Sequence, residues 1–262
     1  MKVNTNYNTS PKAFRGGLTP QIANEIKNLN PKLLEKEFAK YGVICDFKNS
    51  KTIAGGINYA VNLCQEAFEK YNLPFNILPP TIKVLEKKSL VSPEDAKYFG
   101  LCTWSNMQIE KNDGYSKLGS IYINQLPVDD IKIFDKDADS LFQKRILSTD
   151  HFLGRFLHEL IHNIHLNLLI AKSNLTDNFD LEKHVDFLTN EDLPLLNKLM
   201  VKTRIGEYAS TSHAELFPEV IVKMVTDSLK ENSLELKNNP LDKLKDYPKT
   251  IQKFVESELN LF

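Results

Sequence analysis

The spacing of apolar residues in the first part of the chain predicts several helices. Residues 19–41 contain two short amphipathic segments, and each has a proline where a first helical turn would begin, Pro20 and Pro31. Residues 54–71 carry apolar side chains at helical spacing over a longer stretch, which predicts a third helix. A fourth helix is expected over residues 138–147.

Three segments rich in β-branched and aromatic residues predict strands between these helices. They are Thr81–Leu85, Tyr98–Met107 and Leu118–Ile123. The Asn-Asp-Gly sequence at 112–114 is typical of a turn, so an antiparallel meander is the arrangement we expect. The sequence therefore predicts a short antiparallel or mixed sheet.

The second part of the chain has a helical pattern from Ser148 to its end. Ser148, Thr149 and Asp150 offer side-chain oxygens that can cap a helix N-terminus. The segment 151–171 that follows is apolar on more than one face, which predicts a buried helix. Three further helices are expected, over residues 192–203, 213–230 and 241–259.

The change of pattern near residue 148 suggests one α+β domain with two subdomains. Residues 16–147 are expected to form a mixed α/β subdomain, and residues 148–262 a helical one. Nothing between them has the composition of a flexible linker. The polar residues 1–15 are expected to form a flexible arm.

Composition narrows the classes of partner. The chain has 262 residues and a formal net charge of −1, which gives no global attraction to nucleic acid or to anionic lipid. No stretch approaches the about 18 apolar residues that a membrane span needs. The first residues lack the apolar core of a signal peptide, so a cytoplasmic location is expected, with export by a signal-independent route as the alternative.

The three cysteines predict neither a thiolate metal site nor a disulfide framework. Cys45, Cys64 and Cys102 are widely spaced and form no CxxC pair. Their apolar surroundings favour buried free thiols, and a cysteine nucleophile is the alternative.

The sequence His158-Glu159-Leu160-Ile161-His162 carries the strongest chemical signal, since it is an HExxH motif inside the predicted buried helix. Residues four apart project from one helix face, so the two imidazoles can bind one zinc ion. Glu159 points to a neighbouring direction and can reach a zinc-bound water without being a ligand. The alternative is a helix whose two histidines make ordinary hydrogen bonds.

His165 shares the helix face of His158 and His162. Three ligands on one straight helix would span about 10 Å, so His165 can bind the same ion only if the helix ends or bends. We therefore expect His165 to pack beside the site or to contact a ligand.

A catalytic zinc site needs a third protein ligand, and the downstream segment 206–219 offers candidates. Glu215 follows a possible N-cap residue and begins an amphipathic segment. Glu219 lies one turn later and can accept the outer N–H of a ligand histidine. Glu207 and His213 are alternative ligands, and a solvated acidic face is the alternative for the two glutamates.

The HELIH sequence, together with the later Tyr-Ala and Ala-Glu-Leu-Phe-Pro-Glu, resembles the gluzincin metallopeptidases, most closely the branch that includes anthrax lethal factor. The two motifs cover fewer than about thirty residues. The resemblance implies a zincin-like fold, with the active-site helix between a mixed lobe and a helical lobe. It implies His158, His162 and Glu215 as zinc ligands, Glu159 as the base, and Tyr208 as a donor to the transition state.

One position departs from that family, which usually has a small residue where this chain has Pro218. A proline removes one helical hydrogen bond and can kink the helix that carries Glu215. Tyr208 also has an ordinary alternative role, as a packed tyrosine.

The implied activity is zinc-dependent hydrolysis of a peptide or protein substrate. The predicted strand Leu118–Ile123 is either the edge of a cleft that pairs with an extended peptide or an inner strand of the sheet. The alternative function is a catalytically idle zincin scaffold that binds or assembles with other proteins. The intact Glu159 argues against that alternative, because a structural zinc site has no use for a general base.

Overall fold

The structure is a computed structural model, and it describes residues 18–69, 78–86, 100–102, 119–176, 178–231 and 233–259. In these residues the fold is α+β and mainly helical. The helices are α1 (Pro20–Asn28), α2 (Pro31–Ala39), α3 (Lys51–Phe68), α4 (Ile131–Gln143), α5 (Gly154–Leu175), α6 (Leu181–Asn190), α7 (Leu195–Arg204), α8 (His213–Thr226) and α9 (Lys249–Leu259). The strands are β1 (Ile44–Asp46), β2 (Thr81–Leu85), β3 (Gly100–Cys102) and β4 (Ile121–Asn124).

The first two helices confirm the prediction from their start signals. The hydroxyl of Thr19 accepts a hydrogen bond from the Ile22 amide at 3.1 Å, and the Asn30 side chain accepts from the Lys32 amide at 3.0 Å. Each cap satisfies one of the amides that a helix N-terminus leaves without a partner.

Helix α3 begins earlier than its apolar periodicity predicts, because a distant residue completes its N-cap. Ser50 accepts from the Ile53 amide and donates its hydroxyl hydrogen to Asp129 at 2.7 Å. The same Asp129 carboxylate accepts from the amides of Lys51 and Thr52. An anion at this end also suits the helix dipole.

The sheet corrects the predicted meander. Its strand order is β1-β2-β4-β3, in which β1, β2 and β4 run parallel and only β3 is antiparallel to its neighbour β4. Strand β1 escaped prediction because it has three residues. The turn expected at 112–114 lies outside the described residues, as do the N-terminal arm and most of Tyr98–Met107. The residues of a turn do not decide which strands pair. Strands that are buried on both faces favour parallel pairing, as at the centre of this sheet.

Strand β4 is an inner strand and not the edge of a cleft. It pairs with β2 on one side and with β3 on the other, so its main chain is occupied on both sides. Ile121, Tyr122 and Ile123 are all buried. Within the described strands, β3 is the edge that lies against α5.

Helix α5 is the predicted buried helix, and it contacts α3, α8, α9 and the sheet. Its predicted caps are wrong, since Leu153 occupies the N-cap position and makes no side-chain cap. The Thr149 hydroxyl instead accepts from the His151 amide at 3.1 Å, which turns the chain before the helix starts. The cap oxygens therefore shape the approach to α5 and do not begin it.

The remaining helices agree with the sequence in part. The predictions over 192–203 and 213–230 correspond to α7 and α8, whereas α6 was not predicted. The expected helix 138–147 is α4, which begins and ends earlier. The expected helix 241–259 is a 3₁₀ segment followed by α9, because the chain is extended at Tyr247, the residue before Pro248.

Two expectations concern membranes and thiols, and the described residues agree with both except that Cys45 is only half-buried. None of the helices there is both long and apolar enough to cross a bilayer. Cys45 and Cys64 are free thiols, and burial raises the pKa of each to about 12. Such thiols stay protonated and are poor nucleophiles, which disfavours the cysteine alternative for these two residues. The side chain of Cys102 lies outside the described residues.

Helices α3 and α5 approach closely at Gly56. A Cβ atom at this position would overlap the aromatic ring of Phe156, which is fully buried and also contacts Phe134. The glycine therefore sets the distance between the N-terminal helices and the helix that carries the HExxH motif.

Gly56→Ala should destabilise the protein by about 2 kcal/mol or more, because a packed ring must move to admit one methyl group. Equilibrium denaturation in urea measures this. Glu69→Ala, at the exposed C-terminal end of the same helix, is the control and should change stability little. A Gly56→Ala protein as stable as the control variant would contradict the close packing.

A buried carboxylate ties the last helix to α5. Glu258 of α9 lies 2.8 Å from Nε2 of His165 and 3.1 Å from Nε2 of His184 on α6. His165 is fully buried and stacks on Phe217 of α8. Burial opposes ionisation of Glu258, but the two imidazoles outweigh it and lower its pKa from 4.5 to about 2.

Glu258→Gln should cost about 3 kcal/mol of stability near neutral pH. Because the folded-state pKa of Glu258 lies below its unfolded value, its contribution is complete above pH 4.5 and disappears as the pH falls toward 2. Unfolding followed against pH should therefore show the variant and the wild type converging in acid. Glu256→Gln, an exposed neighbour on α9, is the control. A constant difference at every pH would count against an ionised Glu258.

Candidate metal centre

The two motif histidines converge on one point from the buried face of α5. Their Nε2 atoms are 2.9 Å apart, and both side chains are almost fully buried. One oxygen of Glu215 lies 3.0 Å from Nε2 of His158 and 3.2 Å from Nε2 of His162. Among the described residues, these three side chains form the group whose donor atoms are close enough to share a metal ion.

Helix α8 brings Glu215 to this point. The Ser212 hydroxyl accepts from the Glu215 amide at 3.2 Å and so fixes where the helix begins. Glu215 then lies in the first turn, directed at α5. The helix continues through Pro218 to Thr226, so the proline does not turn Glu215 away.

The donor set fits zinc in type and nearly in distance. Two imidazole nitrogens and one carboxylate oxygen are common ligands of catalytic zinc, and they leave a fourth position open. Ligands about 2.0–2.1 Å from a tetrahedral ion lie roughly 3.3 Å from one another. The observed separations of 2.9 to 3.2 Å need only a slight expansion.

The charges of the metal-free group are coupled. Burial opposes ionisation of Glu215, but His162 and His158 outweigh it and lower the pKa of the carboxyl group. Burial also opposes protonation of His158, yet Glu215 and Glu219 raise its pKa well above the usual value. Burial lowers the pKa of His162. These opposite shifts favour a positive charge on His158 over one on His162 and a negative charge on Glu215.

Glu219 contacts the outer nitrogen of His158, whereas the sequence predicts a contact with one of the ligand histidines without indicating which. Its Oε1 lies 2.9 Å from Nδ1 of His158, although the ring N–H is not aligned as in a well-formed hydrogen bond. Its Oε2 accepts from the backbone amide of Ser148 at 2.9 Å. Glu219 is almost fully buried, so these contacts fix the carboxylate and can orient the His158 ring.

Glu159 is buried beside the group but is not a member of it. Burial raises its pKa to about 7, an effect that His158 reduces and Glu215 adds to. A carboxyl group with a pKa near neutrality can both accept and release a proton, as a general base and acid must.

Tyr208 stands next to His158, with the two ring centres 5.4 Å apart. It opens a 3₁₀ turn, Tyr208–Ser210, that packs between α7 and α8. Its amide donates to the carbonyl of Ile146 at 3.1 Å. The structure therefore brings Tyr208 to the edge of the candidate site, half-buried.

The alternative ligands lie elsewhere. The exposed Glu207 side chain pairs with Lys202 at 2.8 Å. His213 has its Nδ1 3.2 Å from the carbonyl of Glu191. His165 belongs to the buried cluster with Glu258, as a packing residue of α5.

Sequence reasoning missed the contribution of Ser148 to the site. It treated Ser148 as a helix cap, whereas its backbone amide holds Glu219. A main-chain donor is present at every residue except proline, so no side-chain pattern could have revealed it.

No protein-family model, no curated protein and no solved structure matches this chain. Geometry and residue chemistry are therefore the support for what this centre does.

The wild-type protein should bind one zinc ion per chain when it is purified without chelator. Loss of a residue that hydrogen-bonds to a metal ligand typically weakens metal binding by about 10–100-fold. His162→Ala and Glu215→Ala remove ligands themselves, so each should weaken zinc binding by more than that. Elemental analysis and competition with a chromogenic chelator measure both quantities. His213→Ala, near the start of α8, is the control. Equal zinc content in all four proteins would refute this ligand set.

Proposed function

We propose that this chain is a zinc-dependent metallopeptidase with a zincin-like arrangement, in which α5 lies between the sheet-bearing part and the helical part. The observation that supports it best is the convergence of His158, His162 and Glu215 beside a buried glutamate that is not a ligand. A structural zinc site generally has four protein ligands, whereas three with an open position are typical of catalysis.

Bound zinc would supply Lewis acidity and lower the pKa of a water molecule toward about 7. The rest of the chemistry belongs to the chain. Glu159 accepts the proton of the attacking water and later delivers it to the leaving amine. Its raised pKa suits the first step, since a carboxylate of ordinary pKa accepts a proton less readily.

Tyr208 is proposed to donate its hydroxyl hydrogen to the oxyanion that develops on the scissile carbonyl. Its ring lies beside His158, and its main chain is held by Ile146. A donor fixed before the reaction stabilises developing charge without reorganising during it.

An extended peptide is proposed to bind along β3. This strand is the antiparallel edge of the described sheet, and it lies against the helix that carries the candidate site. Main-chain hydrogen bonds to such an edge recognise a peptide irrespective of its side chains. We therefore assign to β3, and not to Leu118–Ile123, the role of the cleft edge that pairs with an extended peptide.

Glu159→Gln should retain zinc and lower peptide hydrolysis by about 10²–10⁴-fold, because the amide cannot accept the proton.

Tyr208→Phe should retain zinc and lower kcat by about 10²–10³-fold with little change in KM. Cleavage of a peptide library by the zinc-loaded protein, followed by mass spectrometry, identifies a substrate for both measurements.

Two results would decide against the proposal. Cleavage by Glu159→Gln at the wild-type rate would exclude Glu159 as the base. Zinc binding by the wild type without cleavage of any library peptide would favour the idle scaffold. Glu207→Ala is the matched control, because this exposed glutamate precedes Tyr208 and contacts Lys202 and not the site.

A further inference from the structure

The segment Arg145–Ser148 contacts the two residues that flank His158, which are Tyr208 and Glu219. At one end, the carbonyls of Arg145 and Ile146 accept from the amides of Glu207 and Tyr208 at 2.7 and 3.1 Å. At the other end, the amide of Ser148 donates to Glu219 at 2.9 Å. These contacts join residues about 60 to 70 positions apart in sequence through one short piece of main chain.

Gly206 allows this segment to lie against the chain that leads to Tyr208. A Cβ atom at Gly206 would lie 3.1 Å from the carbonyl oxygen of Ile146 and 3.2 Å from the carbonyl carbon of Leu147. Both neighbours are main-chain atoms, which cannot turn aside as the end of a side chain can. A side chain here would require the main chain of residues 146–147 to give way by a few tenths of an ångström.

The backbone of the segment is itself unusual. Arg145 has a φ of 58°, in the left-handed region that residues other than glycine seldom adopt. The turn that this conformation makes leads directly from α4 into the segment. Such a conformation persists where the surrounding contacts hold it.

Both ends of the segment meet at His158. Glu219 lies against its Nδ1, and the ring of Tyr208 lies beside its own ring. A displacement of the segment would therefore move the support of Glu219 and the main chain of Tyr208 together.

We propose that Arg145–Ser148, packed on Gly206, is a shared positioning element that sets the orientation of His158 through Glu219 and the place of Tyr208. The expected effect of this segment on zinc binding rests on the proposed function. Neither Gly206 nor the segment touches the reacting atoms, so they act through other residues.

Gly206→Ala tests the element, because the added methyl group presses on the main chain of residues 146–147. In the metal-free protein, hydrogen exchange should become about tenfold faster in peptides that cover residues 144–149 and 206–210. A peptide from α3 should exchange as in the wild type. Zinc binding, measured by chelator competition, should weaken by about tenfold, as expected when the partner behind a ligand shifts.

A double-mutant cycle separates positioning from general loosening of the fold. Tyr208→Phe should lower kcat far less in the Gly206→Ala background than in the wild type. The reason is that a displaced Tyr208 hydroxyl no longer stabilises the transition state, so its removal changes little. Glu207→Ala keeps its amide and should behave as wild type in exchange and in zinc binding.

Unchanged exchange in Gly206→Ala would overturn the proposal. Faster exchange with unchanged zinc affinity and an additive cycle would overturn it as well, because the segment would then be structural only. A wild-type protein that binds no zinc would refute the proposed function, and the exchange result would still decide whether the segment holds these two regions together.

Discussion

The candidate site depends on a stripe of histidine side chains that α5 buries in the core. His158 and His162 are shielded from water, so their nitrogens need partners within the protein. Those partners are the carboxylates of Glu215 and Glu219 on α8, which packs along α5. The contact between these two helices therefore serves both the stability of the core and the geometry of the site, and neither can change without the other.

Two carboxylate–imidazole clusters lie along α5, and they differ in how their donor atoms are arranged. In the cluster with Glu258, one carboxylate oxygen is hydrogen-bonded to Nε2 of both His165 and His184, so the imidazoles and the carboxylate pair with one another. In the cluster with Glu215, three donor atoms face one another across a space that suits a cation, and Glu215 keeps 21% of its side-chain surface exposed. Similar residue types thus pair with one another in one cluster, and in the other they bring together three donor atoms close enough to share a metal ion.

The sheet and the helix ends show where sequence patterns lose information. Strands Thr81–Leu85 and β4 were recognisable from their residues, but their parallel pairing was not, because it depends on which faces other elements cover. The start of α3 depends on Asp129, about 80 residues away, and local capping signals cannot anticipate a partner at that distance. The same holds for Ser148, whose contribution comes from its main chain.

The sequence by itself determined the parts of the site that lie within single helices. Helical periodicity places His158 and His162 on one face, and the Ser212 cap places Glu215 in a first turn, since both relations span only a few residues. Only the tertiary structure decided that these two helices lie together and that Glu219 faces His158. The distance between helices is set by packing over the whole core, and that information is distributed over many residues instead of residing in one motif.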